Sequence, residues 1–135
     1  MKFTTRGRYS VQIMVDLSQH MSEGPVSLKS IAERHDLSER YLEQLITELR
    51  KADLVRSVRG AQGGYILQRE PDQIAVGEIL RSVAASIAPV DCEHQTETLS
   101  CSCDPDEQCL TRDLWIRVRD SVNELVDSIY LSDLI

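Results

Sequence analysis

Cys92, Cys101, Cys103 and Cys109 are the only cysteines in this chain, and all four fall in one short acidic stretch. Residues 91–108 also carry Glu93, Glu97, Asp104, Asp106 and Glu107, with His94 among them and no Lys or Arg. Thiols used for packing scatter through a core, whereas thiols gathered in a polar segment point to metal or redox chemistry. Four thiolates suit an iron–sulfur cluster or a closed tetrahedral zinc site. The intervals of 9, 2 and 6 residues lack the paired knuckles of a zinc ribbon. A metal-free thiol switch is a third reading, weakened by neighbouring carboxylates that disfavour the thiolate.

The redox compartment bears on that choice. Residues 1–8 lack the apolar run of a secretory signal, and no apolar stretch is long enough to span a bilayer. A cytoplasmic protein that does not enter the membrane is expected, with its thiols kept reduced, which favours a metal site over disulfides. No Gly-rich phosphate loop, nucleophile–base pair or His/carboxylate cluster lies outside the cysteine segment, so the chain is not read as an enzyme.

The elements that must position this segment are mainly helical. Apolar residues Tyr9, Ile13, Val15 and Leu17 predict a helix over residues 8–21. Ser27 is placed to cap a second helix, with Leu28, Ile31 and Ala32 facing inward. His35-Asp36-Leu37 forms a tight turn, and Ser38 caps a third helix running to about residue 51. Tyr41, Leu42, Leu45, Ile46 and Leu49 make its apolar face. A short helix, a turn of three or four residues and a longer helix is the helix-turn-helix arrangement. Residues 54–58 and 64–67 follow as strands around a glycine-rich turn, completing a winged helix-turn-helix with a small β-hairpin wing. Residues 76–86 predict a connecting helix. Beyond the cysteines, Leu110, Leu114, Val118, Val122, Leu125, Val126 and Ile129 form one apolar stripe beside Trp115, a helix of about five turns. Such a helix could fold back on its own domain, while in a winged-helix protein it more often forms a homodimer interface. His20 and His35 are read as ordinary surface or helix-end residues. The expected organisation is a DNA-binding domain over 1–70, a connecting helix over 71–90, a cluster-binding loop over 91–109 and a dimerisation helix with its tail over 110–135.

The net charge of −7 is unevenly spread. Residues 1–70 hold 11 Lys and Arg against 9 Asp and Glu, and residues 71–135 hold 4 against 13. The basic balance therefore sits in the half expected to meet double-stranded DNA. The third helix should enter the major groove, with Ser38, Arg40, Tyr41 and Gln44 on or near the reading face. Glu43 is the odd member there, since a carboxylate beside phosphates repels them unless it accepts from a cytosine amine. Arg59, next to Gly60 at the wing tip, is placed for a minor groove. Arg6, Arg8 and Lys2 are candidates for phosphates. A dimer of this kind reads an imperfect palindrome with half-sites about one helical turn apart.

Several ordered motifs resemble one family. Thr5-Arg6-Gly7-Arg8-Tyr9, Tyr41-Leu42-Glu43-Gln44-Leu45, Leu49-Arg50-Lys51-Ala52-Asp53-Leu54-Val55, Ser57-Val58-Arg59-Gly60 and Gly63-Gly64-Tyr65 are similar to the iron–sulfur cluster regulator (IscR) type of winged-helix repressor. So are Ala75-Val76-Gly77-Glu78-Ile79 and Cys109-Leu110-Thr111-Arg112-Asp113-Leu114-Trp115. The resemblance implies a homodimer and a 2Fe–2S cluster held by three cysteines and one other ligand. Cys92 and Cys109 match the outer cysteines of that motif, and Cys103 or Cys101 the middle one. The best-known members place a ligand histidine three residues after the last cysteine, where this chain has Arg112, and a guanidinium offers no lone pair. The fourth ligand is then Cys101, His94 or Glu43. The implied function is a transcriptional regulator that senses cluster status or oxidative stress. Zinc or thiol sensing on the same frame is the alternative, and an electron or cluster carrier would leave the helix-turn-helix and wing unexplained.

Overall fold

Thr4 opens the first helix. Its hydroxyl accepts from the Gly7 N–H at 3.1 Å, so helix α1 spans Thr5–His20. The start comes three residues before the expected one, because the capping hydroxyl and not the first apolar residue sets it. The computed structural model describes residues 4–84 and 110–135.

Helix α1 sends Ile13, Met14 and Leu17 into the core. Helix α2, Leu28–His35, is capped by Ser27, and helix α3, Glu39–Lys51, by Ser38, as their hydroxyls predict. Asp36 joins them in the left-handed region at φ 52°, its N–H returned to the Ala32 carbonyl. Helix α3 buries Leu42, Leu45, Ile46 and Leu49, spaced i, i+3, i+4, i+7 along one face. Glu39 in its first turn and Arg50 and Lys51 in its last complement the helix dipole.

Strands β1, Val55–Val58, and β2, Gly64–Leu67, pair antiparallel with Val55 opposite Leu67 and Ser57 opposite Tyr65. Leu54, expected in the first strand, lies buried just ahead of it. The other edge of β2 is occupied by Val26, which exchanges two hydrogen bonds with Tyr65 at 2.9 and 2.8 Å. A Cβ on Gly64 would collide with the Val26 carbonyl, so this contact requires glycine. The wing is thereby bonded to the segment that leads into α2.

Helix α4, Val76–Val83, follows a 3-10 turn at Pro71–Gln73. Glu78 accepts from the Ala75 N–H and from Arg69, both at 3.0 Å. Burial pushes its carboxyl up, and these bonds more than reverse that, holding it below the usual carboxylate range. Helix α5, Arg112–Ser128, is shorter at both ends than the apolar stripe predicts. Leu110 precedes it and is 95% exposed, and Ile129 follows it. Val122 and Val126 pack on Val76 and Leu80 of α4 and on Val11, while Arg81 bonds Asn123 at 3.0 Å and also Asp127. Leu114 and Leu125 remain 53% and 59% exposed, so the stripe is not one buried face. Beyond α5, Val76 donates to the Ile129 carbonyl at 2.8 Å and Leu131 to the Ile74 carbonyl at 2.9 Å. A 3-10 turn at Leu131–Leu134, not foreseen in the sequence, seats Leu131 fully buried in the core built by α1–α3. No helix among the described residues is long and apolar enough to cross a membrane.

Candidate nucleic-acid interface

The apolar face of α3 is consumed by the core, which leaves the opposite face for other work. Arg40, Glu43 and Gln44 stand exposed there. Ser38 is occupied as the cap, accepting from the Tyr41 N–H at 3.2 Å. Tyr41 is half-buried, its ring edge-on to Tyr9 with centroids 6.1 Å apart. The Glu43 carbonyl accepts from the Thr47 hydroxyl at 2.7 Å, while its carboxylate has no hydrogen bond or ion pair among the described residues. Arg6 and Arg8 lie exposed on the opening turns of α1. Lys2 lies outside the described residues.

Arg59 and Gly60 are exposed in the turn between β1 and β2. Gly60 has φ 124°, which an L side chain rarely adopts, and its carbonyl accepts from the Gly63 N–H at 3.0 Å. The wing tip thus has a defined turn that carries one guanidinium.

A feature missed in the sequence lies behind α2. Asp16 is 4% exposed. Its carboxylate accepts from Arg34 Nε at 2.7 Å and Nη2 at 2.6 Å, a two-pronged pair, and lies 2.9 Å from His35 Nε2. His20 Nδ1 sits 2.8 Å from the Asp16 carbonyl and 3.5 Å from its carboxylate. Burial pushes the Asp16 carboxyl up. The bonds from Arg34 and His35 and the nearby charges of Arg34 and His20 outweigh it, so the group is held below the usual carboxylate range. The same carboxylate raises Arg34. His20 and His35 are therefore not plain surface residues. The only signal available was their place on helix ends, because Asp16 is 18 residues from Arg34 in the chain.

The candidate cluster ligands sit elsewhere in the sequence. Cys92, His94, Cys101, Cys103 and Cys109 lie outside the described residues, and the described residues alone bring together no metal-binding group. Arg112 is the first residue of α5 and is exposed. Of the candidate fourth ligands, Glu43 is the one described.

The described residues thus form a helix-turn-helix with a hairpin wing, an exposed polar face on α3 and a long C-terminal helix. The profile of the Rrf2 family, described as an iron-dependent transcriptional regulator, matches residues 3–135. The chain belongs to the Rrf2 family. It is thus a DNA-binding transcriptional regulator and not an enzyme. Among Rrf2 relatives, the transcriptional regulator CymR of Bacillus subtilis is 50% identical over 99% of this chain and 89% of that protein. Its solved structure, described as the global cysteine regulator of B. subtilis, has TM-score 0.81, covering 99% of this chain and 95% of that one. The structure of T. potens IscR has TM-score 0.79 at 51% identity, covering 99% and 85%. The IscR of Aliivibrio salmonicida is 44% identical over 99% of this chain and 77% of that protein. These likenesses bear out the winged-helix fold and the expected resemblance to IscR, and they add the cysteine regulator CymR, which among the curated relatives is the more similar at 50% identity against 44% for the IscR of A. salmonicida.

Proposed function

We propose that this chain is a homodimeric regulator that reads an imperfect DNA palindrome through α3 and the wing. In this reading its DNA affinity is set by a 2Fe–2S cluster on the cysteine segment. The observation that carries the sensing half is the gathering of all four cysteines immediately before α5. Thiolates fit the group, and the donor set supplies four, with His94 in the same segment and Glu43 of α3 as further candidate donors. Cys92, Cys103 and Cys109 would hold it, with Cys101, His94 or Glu43 as fourth ligand, since Arg112 has no lone pair to give. When bound, such a cluster supplies reversible one-electron chemistry and sensitivity to oxidants.

The chain's own residues do the rest. Arg40, Gln44 and Glu43 offer donors and an acceptor to base edges, where Arg suits guanine and Gln adenine. Ser38 and Tyr41 stand at the start of that helix, where base contacts concentrate. Arg59 carries positive charge to a narrow groove, and Arg6, Arg8 and Lys2 bind phosphates, which sets position without reading sequence. The open apolar residues of α5, Leu114 and Leu125, support a second copy as partner. A free Glu43 carboxylate on the reading face would couple cluster and DNA directly if it served as ligand.

A second reading keeps the frame and replaces the cluster with zinc or bare thiols. The 50% identity to a protein named for cysteine regulation and the Arg at position 112 favour it. Protein purified without oxygen separates the two. A brown protein with about two irons and two sulfides per chain, lost in Cys92→Ala and Cys109→Ala, supports the cluster. Zinc alone, or no metal, moves the sensing to the second reading. Loss of the visible bands in Glu43→Ala would identify the fourth ligand.

A further inference from the structure

Asp16 is the one buried ionisable side chain among the described residues, and neither the cluster reading nor the reading face uses it. We infer that Asp16 is a positioning residue for DNA recognition, which fixes the end of α2 and so sets the orientation in which α3 is presented. The inference rests on α3 being the reading helix and is independent of what the cysteines hold.

A buried carboxylate is costly unless it is paired and hydrogen-bonded, and an apolar replacement of similar size often gives equal stability. What the charge adds is direction. Ile31 and Ala32 of α2 and Leu42, Leu45 and Ile46 of α3 share one buried apolar core. Such packing is non-directional and tolerates rotation. The planar fork of Arg34 admits one approach to Asp16, through Nε and Nη2 together. His35, the next residue, bonds the same carboxylate from the adjoining position on the helix. Two consecutive residues of the last turn held on one group define both the height and the rotation of that turn. Asp36, Leu37 and Ser38 are all that separate this anchor from α3, and Asp36 is already held at φ 52°. The remaining charges facing the cluster are His20, on α1 beside Asp16, and Glu23, whose field acts on Arg34. Asp16 itself is a buried anion and cannot serve as a phosphate contact, so any effect it has on DNA passes through the helices.

The test uses the full chain with the duplex that wild-type protein selects from a randomised pool, and a scrambled duplex of equal length. Asp16→Asn should weaken binding to the selected duplex by about tenfold or more, about 1.4 kcal/mol, among molecules that circular dichroism shows to be folded. Binding to the scrambled duplex should change by less than about twofold. The salt dependence should keep its slope, because no phosphate contact is lost. Arg34→Lys, which keeps the charge and loses the fork, should show the same selective loss in smaller measure. His35→Gln, which keeps an N–H donor, should stay closer to wild type than His35→Ala. If Asp16→Asn does not fold, the Arg34 and His35 variants carry the same comparison. Equal loss on both duplexes, or a loss accounted for by the unfolded fraction, would overturn the inference. Wild-type protein that selects no duplex would instead remove the reading of α3, and this inference with it.

Discussion

Helices α3 and α5 are both amphipathic, yet they use their apolar faces differently. In α3 Leu42, Leu45, Ile46 and Leu49 are at most 1% exposed and only Tyr41 of the stripe is half-buried, so the helix is satisfied inside its own chain. In α5 only Val126 is buried, while Leu114 and Leu125 stand more than half exposed. A face satisfied at home leaves the opposite, polar face free for a ligand. A face left open fits the proposed second copy, because water does not tolerate exposed apolar area cheaply. The proposed division of labour, α3 reading DNA and α5 joining a second copy, matches how completely each stripe is covered.

The comparison is broken most forcefully in the core. Leu45→Ala should lower the unfolding free energy by about 3 kcal/mol in urea titration, the ordinary cost of emptying a fully buried leucine. A change under about 0.5 kcal/mol would mean that α3 is not seated as described. Next in size, Asp16→Asn should cost about 2 kcal/mol at pH 7, from a buried, multiply bonded carboxylate. The sign with pH follows from its depressed pKa. The contribution is present above the unfolded value of about 3.9 and is lost as pH falls through the lower folded value. Acid titrations of stability should therefore draw together for wild type and Asp16→Asn as pH falls below the ordinary carboxylate range. Convergence on raising the pH instead would contradict the depressed pKa.

For α5 the expected effect is on association. Leu114→Asp should weaken self-association by about tenfold or more in sedimentation experiments, while far-ultraviolet dichroism stays near wild type. Unchanged association would assign the open stripe to another surface. The smallest effect belongs to the cap of α3. Ser38→Ala should cost about 1 kcal/mol, because it frees the Tyr41 N–H that the hydroxyl now satisfies.

Local chemistry made much of this fold legible. Ser27 and Ser38 mark the starts of α2 and α3, and the apolar spacing of α3 names its buried residues. The glycine-rich turn locates the wing to within one residue. Each of these signals lies within a few residues of the feature it specifies. The tie of Asp16 to Arg34 and His35 joins two helices across a long interval, and no local pattern distinguishes a buried aspartate from an exposed one on the same helix. The stripe of α5 was legible as a stripe, yet its coverage was not, because Val76, Leu80 and Val11 decide which end is buried. Leu131 entered the core for a similar reason: Ile74 and Val76 offer backbone partners to the chain around it.

The bonds from Val76 to Ile129 and from Leu131 to Ile74 clamp α5 at its C-terminal end. Its described side-chain ties to α4 fall at Val122, Asn123, Val126 and Asp127. The 17 residues of the helix make a beam about 25 Å long. A tilt of about 5° at the clamp swings the far end, next to the cysteines, by about 2 Å. Amide hydrogen exchange along α5 should accordingly be slowest near Val126 and quicken steadily toward Arg112.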